Sequence, residues 1–93
     1  MRAMPKIEVT WTGETPEGEK RQICARTQGE RFVFLTRAKR YDDWLEVAAP
    51  PLEDWLEFLD GVRRRVGRHL ASSKDETRLL AHIRRLFPDA QIK

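Results

Sequence analysis

The 93-residue sequence predicts an α+β fold: a small antiparallel sheet of about four strands followed by two C-terminal helices. Three observations lead there. The first half alternates apolar and polar residues with period two, Pro50-Pro51 interrupts the chain near its middle, and the second half repeats apolar residues at helical spacing. The length suits one domain over residues 1–93, with strands within 6–48 and helices within 51–87. The helices are expected to pack on the sheet or at a dimer interface.

In the first strand Ile7, Val9 and Trp11 alternate with Glu8, Thr10 and Thr12, the pattern of a half-buried strand. Gly13 to Gly18, containing Thr15-Pro16-Glu17, breaks it as a turn. Arg21 to Thr27 forms the next strand, with Ile23 and Ala25 on one face and Gln22, Cys24 and Arg26 on the other. Gln28-Gly29-Glu30 is a tight turn in which Gly29 supplies positive φ. The strand from Arg31 is apolar on both faces, with Phe32 and Phe34 opposite Val33 and Leu35, so it belongs in the middle of the sheet. It carries Arg37, Lys39 and Arg40 at its far end.

Tyr41-Asp42-Asp43 then turns the chain into a closing strand, Trp44 to Ala48. Pro51 suits the first helical position, where its missing N–H costs nothing. Leu52, Trp55, Leu56, Leu59, Val62 and Val66 make one apolar stripe, expected to face the sheet. Glu53 and Asp54 in the first turn and Arg63-Arg64-Arg65 in the last complement the helix dipole. Ser73-Lys74-Asp75-Glu76 reads as a capping box opening a second helix. Its apolar residues are Leu79, Leu80, Ile83, Leu86 and Phe87, and Pro88 ends it.

The formal net charge of +3 is unevenly spread. Basic residues cluster from Lys20 to Arg40 and again from Arg63 to Arg85, separated by an acidic segment from Asp42 to Asp60. A surface for a polyanion must therefore be local. Cys24 is alone, which excludes a disulfide framework and fits a reducing, cytoplasmic setting. Met1 to Lys6 has no apolar run after it, and no segment has the length of a membrane span. His69 and His82 have no second ligand at metal spacing, and the acid pairs Asp42-Asp43 and Glu53-Asp54 are explained by a turn and a helix start. With no phosphate loop, nucleophile elbow or zinc spacing, an enzyme is the weakest class, and neither cofactor, metal nor small-molecule substrate is expected.

Cationic and aromatic side chains share the strands. Trp11, Phe32, Phe34 and Trp44 could form a stacking platform bordered by Arg26, Arg37, Lys39 and Arg40, since aromatic faces stack bases and basic groups neutralise phosphates. Ordinary core packing accounts for the aromatics equally well. For Arg63-Arg64-Arg65 a solvated helix face, with Asp60 and Arg64 as an i,i+4 pair, is the better account. The strand-borne bases have only Asp42 and Asp43 nearby to neutralise them.

Over residues 19–66 the hairpin around Gly29, the strand Leu45-Glu46-Val47 and the helix opening Leu52-Glu53-Asp54-Trp55 form a pattern that resembles the PUR-alpha and PC4-like single-stranded nucleic-acid-binding families. The resemblance implies strands bound on the sheet and dimers formed through helices or strands. The chain departs from it in the acidic stretch around the first helix and in a capped second helix.

The first expectation is thus a homodimeric single-stranded DNA- or RNA-binding protein. Its phosphate contacts come from Arg26, Arg31, Arg37, Lys39 and Arg40, and its stacking from Phe32, Phe34 and Trp44. The apolar stripe of the second helix supplies the dimer contacts. The alternative is a homo-oligomeric protein-interaction module built on Phe32, Phe34, Leu79, Leu80 and Phe87. Whether Phe32 and Phe34 lie open beside the arginines discriminates the two.

Overall fold

Four antiparallel strands in chain order, then two helices, make up the computed structural model, which describes residues 7–15 and 17–92. The N-terminal Met1 to Lys6 and Pro16 of the first expected turn lie outside them. The elements are β1 (Glu8–Glu14), β2 (Lys20–Gln28), β3 (Arg31–Arg37), β4 (Leu45–Glu46), α1 (Leu52–Gly67) and α2 (Ser73–Leu86). The chain divides into two compact units, Met1–Ala49 and Pro50–Lys93.

The sheet is a meander. Register pairs Val9 with Ala25 and Trp11 with Ile23, then Ala25 with Phe34 and Ile23 with Thr36. The first turn is closed by the Thr15 N–H to the Glu19 carbonyl at 2.8 Å, with Gly18 at φ 86°. The second needs Gly29 at φ 63°, as its sequence implies, because a side chain there would be strained. β3 is interior to the sheet, as expected from its two apolar faces. The closing strand is shorter than Trp44 to Ala48: only Leu45 and Glu46 are in the ladder, and the Val47 N–H adds one bond to the Phe34 carbonyl at 2.8 Å. Ile7 and Thr27 close the opposite end, the Thr27 hydroxyl accepting from the Ile7 N–H at 3.0 Å.

In the helical unit the buried stripe of α1 is Trp55, Phe58, Leu59 and Val62. Phe58, absent from the expected stripe, is fully buried, whereas Leu56 is 36% exposed. A stripe at i, i+3, i+4 and i+7 starting from Trp55 passes through Phe58 and leaves Leu56 at its edge. α2 packs against α1, its Leu79 and Ile83 are buried, and Arg63 bonds Glu76 across the pair at 3.1 Å.

Two helix starts differ by one residue from expectation. Pro51 is the N-cap of α1, not its first residue, with extended backbone at ψ 161°. The capping box of α2 is Ser72 with Asp75: the Ser72 hydroxyl accepts from the Lys74 N–H at 3.1 Å and the Asp75 carboxylate from the Ser72 N–H at 3.1 Å. Asp75 is shorter than Glu76 and sits three residues after Ser72, the spacing the reciprocal pair requires. Glu76 is thereby left to bond Arg63.

Candidate nucleic-acid interface

Alternation along each strand assigns every side chain to a face, and residues paired across strands share one. Val9, Trp11, Ile23, Ala25, Phe32 and Phe34 lie on the apolar face. Thr10, Gln22, Cys24, Arg26, Arg31, Val33, Leu35 and Arg37 lie on the other. The expected platform is therefore divided: Phe32 and Phe34 are on the face opposite Arg26, Arg31 and Arg37. Phe34 is also 2% exposed, packed edge-on to Trp11 with centroids 6.3 Å apart, so it presents no surface to a base. Phe32 is half-buried.

Trp44 is the aromatic residue that joins the basic face. The Arg37 guanidinium lies 4.2 Å from the centre of its ring, and Arg37 Nε donates to Gln22 Oε1 at 2.6 Å. Gln22 and Arg37 are cross-strand partners, so the sheet register itself aims the guanidinium at the indole. A cation held over tryptophan in this way combines a charged group with a flat surface.

The loop that follows carries the remaining bases. Lys39 and Arg40 are exposed, and the loop is pinned by two reciprocal bonds: the Lys39 N–H to Asp42 Oδ2 at 3.1 Å and the Asp42 N–H to the Lys39 carbonyl at 2.9 Å. Tyr41 at its tip is 92% exposed, the most open large hydrophobic side chain among the described residues. Sequence reading treated Tyr41 as a turn residue, and its position between Arg40 and Asp42 was the available signal. Asp42, Asp43 and Glu46 follow the bases closely, so the positive region is narrow and centred on Arg37, Lys39 and Arg40.

Arg26 and Arg31 stand apart from this cluster. Arg31 is exposed at the opposite end of β3, about 20 Å from Arg37 at the usual strand rise. Arg26 pairs in register with Glu8 and Val33, and its Nε is buried with no hydrogen-bond partner among the described residues. Glu8 opposite it makes Arg26 a poor phosphate ligand. Beside it, burial pushes the Cys24 thiol up, with Glu8 adding to the rise and the Thr10 hydroxyl opposing it.

The residues expected to serve a protein interface are largely inside. Leu79 and Ile83 are buried, Leu80 and Phe87 are half-buried, and Leu86 is the one 48% exposed. His82 leans on Trp55 with ring centres 5.1 Å apart, and burial followed by the nearby Arg85 holds it below the ordinary histidine value. Among the described residues no group of three or more acidic, histidine or cysteine side chains could hold a metal ion, and no helix is long and apolar enough to cross a membrane. Comparison of the chain with protein-family models, with curated proteins and with solved structures finds no match.

Proposed function

We propose that the protein binds single-stranded DNA or RNA at the end of the sheet where β3 meets β4. The observation that carries this reading is Arg37 held over Trp44 at 4.2 Å on the same face as Arg31, with the exposed Lys39, Arg40 and Tyr41 in the adjoining loop. Single strands are held by aromatic stacking combined with backbone neutralisation, and these residue types meet both needs at one place. Trp44 and Tyr41 take the bases. Arg37, Lys39 and Arg40 take the phosphates, and Arg31 reaches a phosphate farther along the strand. Phe32 and Phe34 have no part in it, since they belong to the opposite face.

The test is fluorescence anisotropy with a mixed-sequence single-stranded oligonucleotide. Trp44→Ala and Tyr41→Ala should each weaken binding, by about 1–3 kcal/mol per stacked base. Phe32→Leu, on the other face, should leave it unchanged. Equal affinity of the wild type and the Trp44→Ala, Tyr41→Ala double variant would refute the reading.

A further inference from the structure

We infer that the outer face of α2 binds the phosphate backbone of a nucleic-acid duplex, a second surface that does not rest on the sheet. At the helical repeat Lys74 and Arg85 project within about 20° of each other, about three turns and 16 Å apart along the axis. Arg84 flanks this line, and the small Thr77 and Ala81 lie along it. These five residues are exposed. Arg78, half-buried on the same side, has a contact of its own, and the face is cationic without it.

No carboxylate among the described residues answers these three cations. Both acids of α2 are engaged elsewhere: the buried Asp75 accepts from the Ser72 N–H in the capping box, and Glu76 bonds Arg63 of α1. Lys74 and Arg84 make no ion pair among the described residues, and neither do Glu53, Asp54 and Glu57 of α1 or Asp89 beyond the end of α2. Arg85 Nη2 lies 2.8 Å from His82 Nδ1, and the depressed basicity of that half-buried imidazole lets it accept as a neutral ring, so the charge of Arg85 is not cancelled. The helix dipole accounts for arginines in the last turn. It does not account for Lys74 in the first, where a cation is unfavourable and Arg78 repels it from four residues on.

The chemistry of the face selects the partner. Leu79 and Ile83 are buried, and Leu86 projects about 100° away from Arg85, so the outer face has no large apolar group to anchor a protein or enter a membrane. It also carries no aromatic ring on which an unpaired base could stack. Contacts to phosphates need only donors and positive charge. A duplex has its bases already stacked and carries about one charge per 1.7 Å of axis, hence about ten over the span from Lys74 to Arg85.

Fluorescence anisotropy of the full chain with a blunt-ended labelled duplex, beside a single strand of the same length, tests this. The duplex should bind with a log–log salt slope of about −2.7, three contacts at about −0.9 each, which is a loss of about 40-fold between 50 and 200 mM salt. The triple variant Lys74→Gln, Arg84→Gln, Arg85→Gln should lose this binding while keeping the wild-type far-UV circular dichroism and single-strand affinity. Lys74→Arg with Arg84→Lys and Arg85→Lys preserves the charges and should preserve the slope. Lys20→Gln, Arg64→Gln and Arg68→Gln together remove the same charge elsewhere and should leave duplex binding intact. A wild type that does not bind the duplex, or duplex binding that survives the α2 triple variant or is lost equally in the Lys20, Arg64, Arg68 variant, would overturn the proposal. So would an equal loss of single-strand and duplex affinity in the α2 variant, which would make the face a general polyanion surface. Binding to phosphatidylserine vesicles that requires Lys74, Arg84 and Arg85, without duplex binding, would overturn it in favour of a membrane. Failure of the single strand to bind, with the duplex behaving as expected, would sink the sheet reading alone.

Discussion

Replacing Arg37, Lys39 and Arg40 together by Ala separates electrostatic binding at the sheet end from every other kind. If these residues and Arg31 each neutralise one phosphate, the affinity for a single strand should fall with salt at a log–log slope of about −2.8, at about −0.7 per contact. Between 50 and 200 mM salt that slope weakens the wild type by about 50-fold, whereas the triple variant, keeping Arg31 alone, should weaken by only about 2.5-fold. Anisotropy titrations at four or five salt concentrations measure both slopes. Arg37 also bonds Gln22 and covers Trp44, so its loss has a geometric component that the slope does not report. Arg37→Lys isolates this component, because it retains the charge and removes the planar fork. Its slope should match the wild type while its affinity falls by about 0.5–1 kcal/mol, the usual worth of an exposed cation–π contact. Equal slopes for the wild type and the triple variant would refute the placement of phosphates at this end.

Three further outcomes test the fold. Leu59→Ala should cost about 2–5 kcal/mol and Leu56→Ala less than about 1 kcal/mol in urea denaturation followed by far-UV circular dichroism, since Leu59 is 2% exposed and Leu56 is 36% exposed. Equal costs would mean that α1 buries another face. Ser72→Ala should cost about 1 kcal/mol as a lost N-cap, and Ser73→Ala markedly less; the reverse order would return the cap to Ser73. His69→Gly should stabilise by about 0.5–1 kcal/mol, because relief of a left-handed β-carbon exceeds the extra chain entropy of glycine; a lower melting temperature would contradict the turn geometry.

Strands and helices were legible where one physical rule dominated. Alternation marked β1, an apolar run on both faces marked β3, positive φ at Gly29 marked the hairpin, and helical spacing marked α1 and α2. Of the residues in the candidate site, the structure shows Arg37 over Trp44 with the exposed Lys39 and Arg40 in the loop between them. The division of the platform was also present in the sequence, because Phe32 and Phe34 occupy even positions of β3 and Arg31 and Arg37 odd ones. Arg26 was harder: its face follows only from the register that pairs it with Val33. The capping box shifted by one because Ser72 and Ser73 both offer a hydroxyl with an acid three residues on. Local pattern does not choose between them, and burial of Asp75 does. The Arg63 to Glu76 bond joins two helices and leaves no trace in the spacing of either.

Each strand of the meander pairs with the strand next to it in sequence, and α1 packs on the helix that directly follows it. No strand has to wait for a distant segment, so the loops closed on the way to the native state are short and their entropic barriers small. Such low contact order belongs to chains that fold quickly. The hairpins can form in the order in which a ribosome delivers them, and α1 can pair with α2 as soon as α2 has been made. The turns at Gly18, Gly29 and His69 then govern kinetics as much as shape, since each sets how soon two neighbours meet.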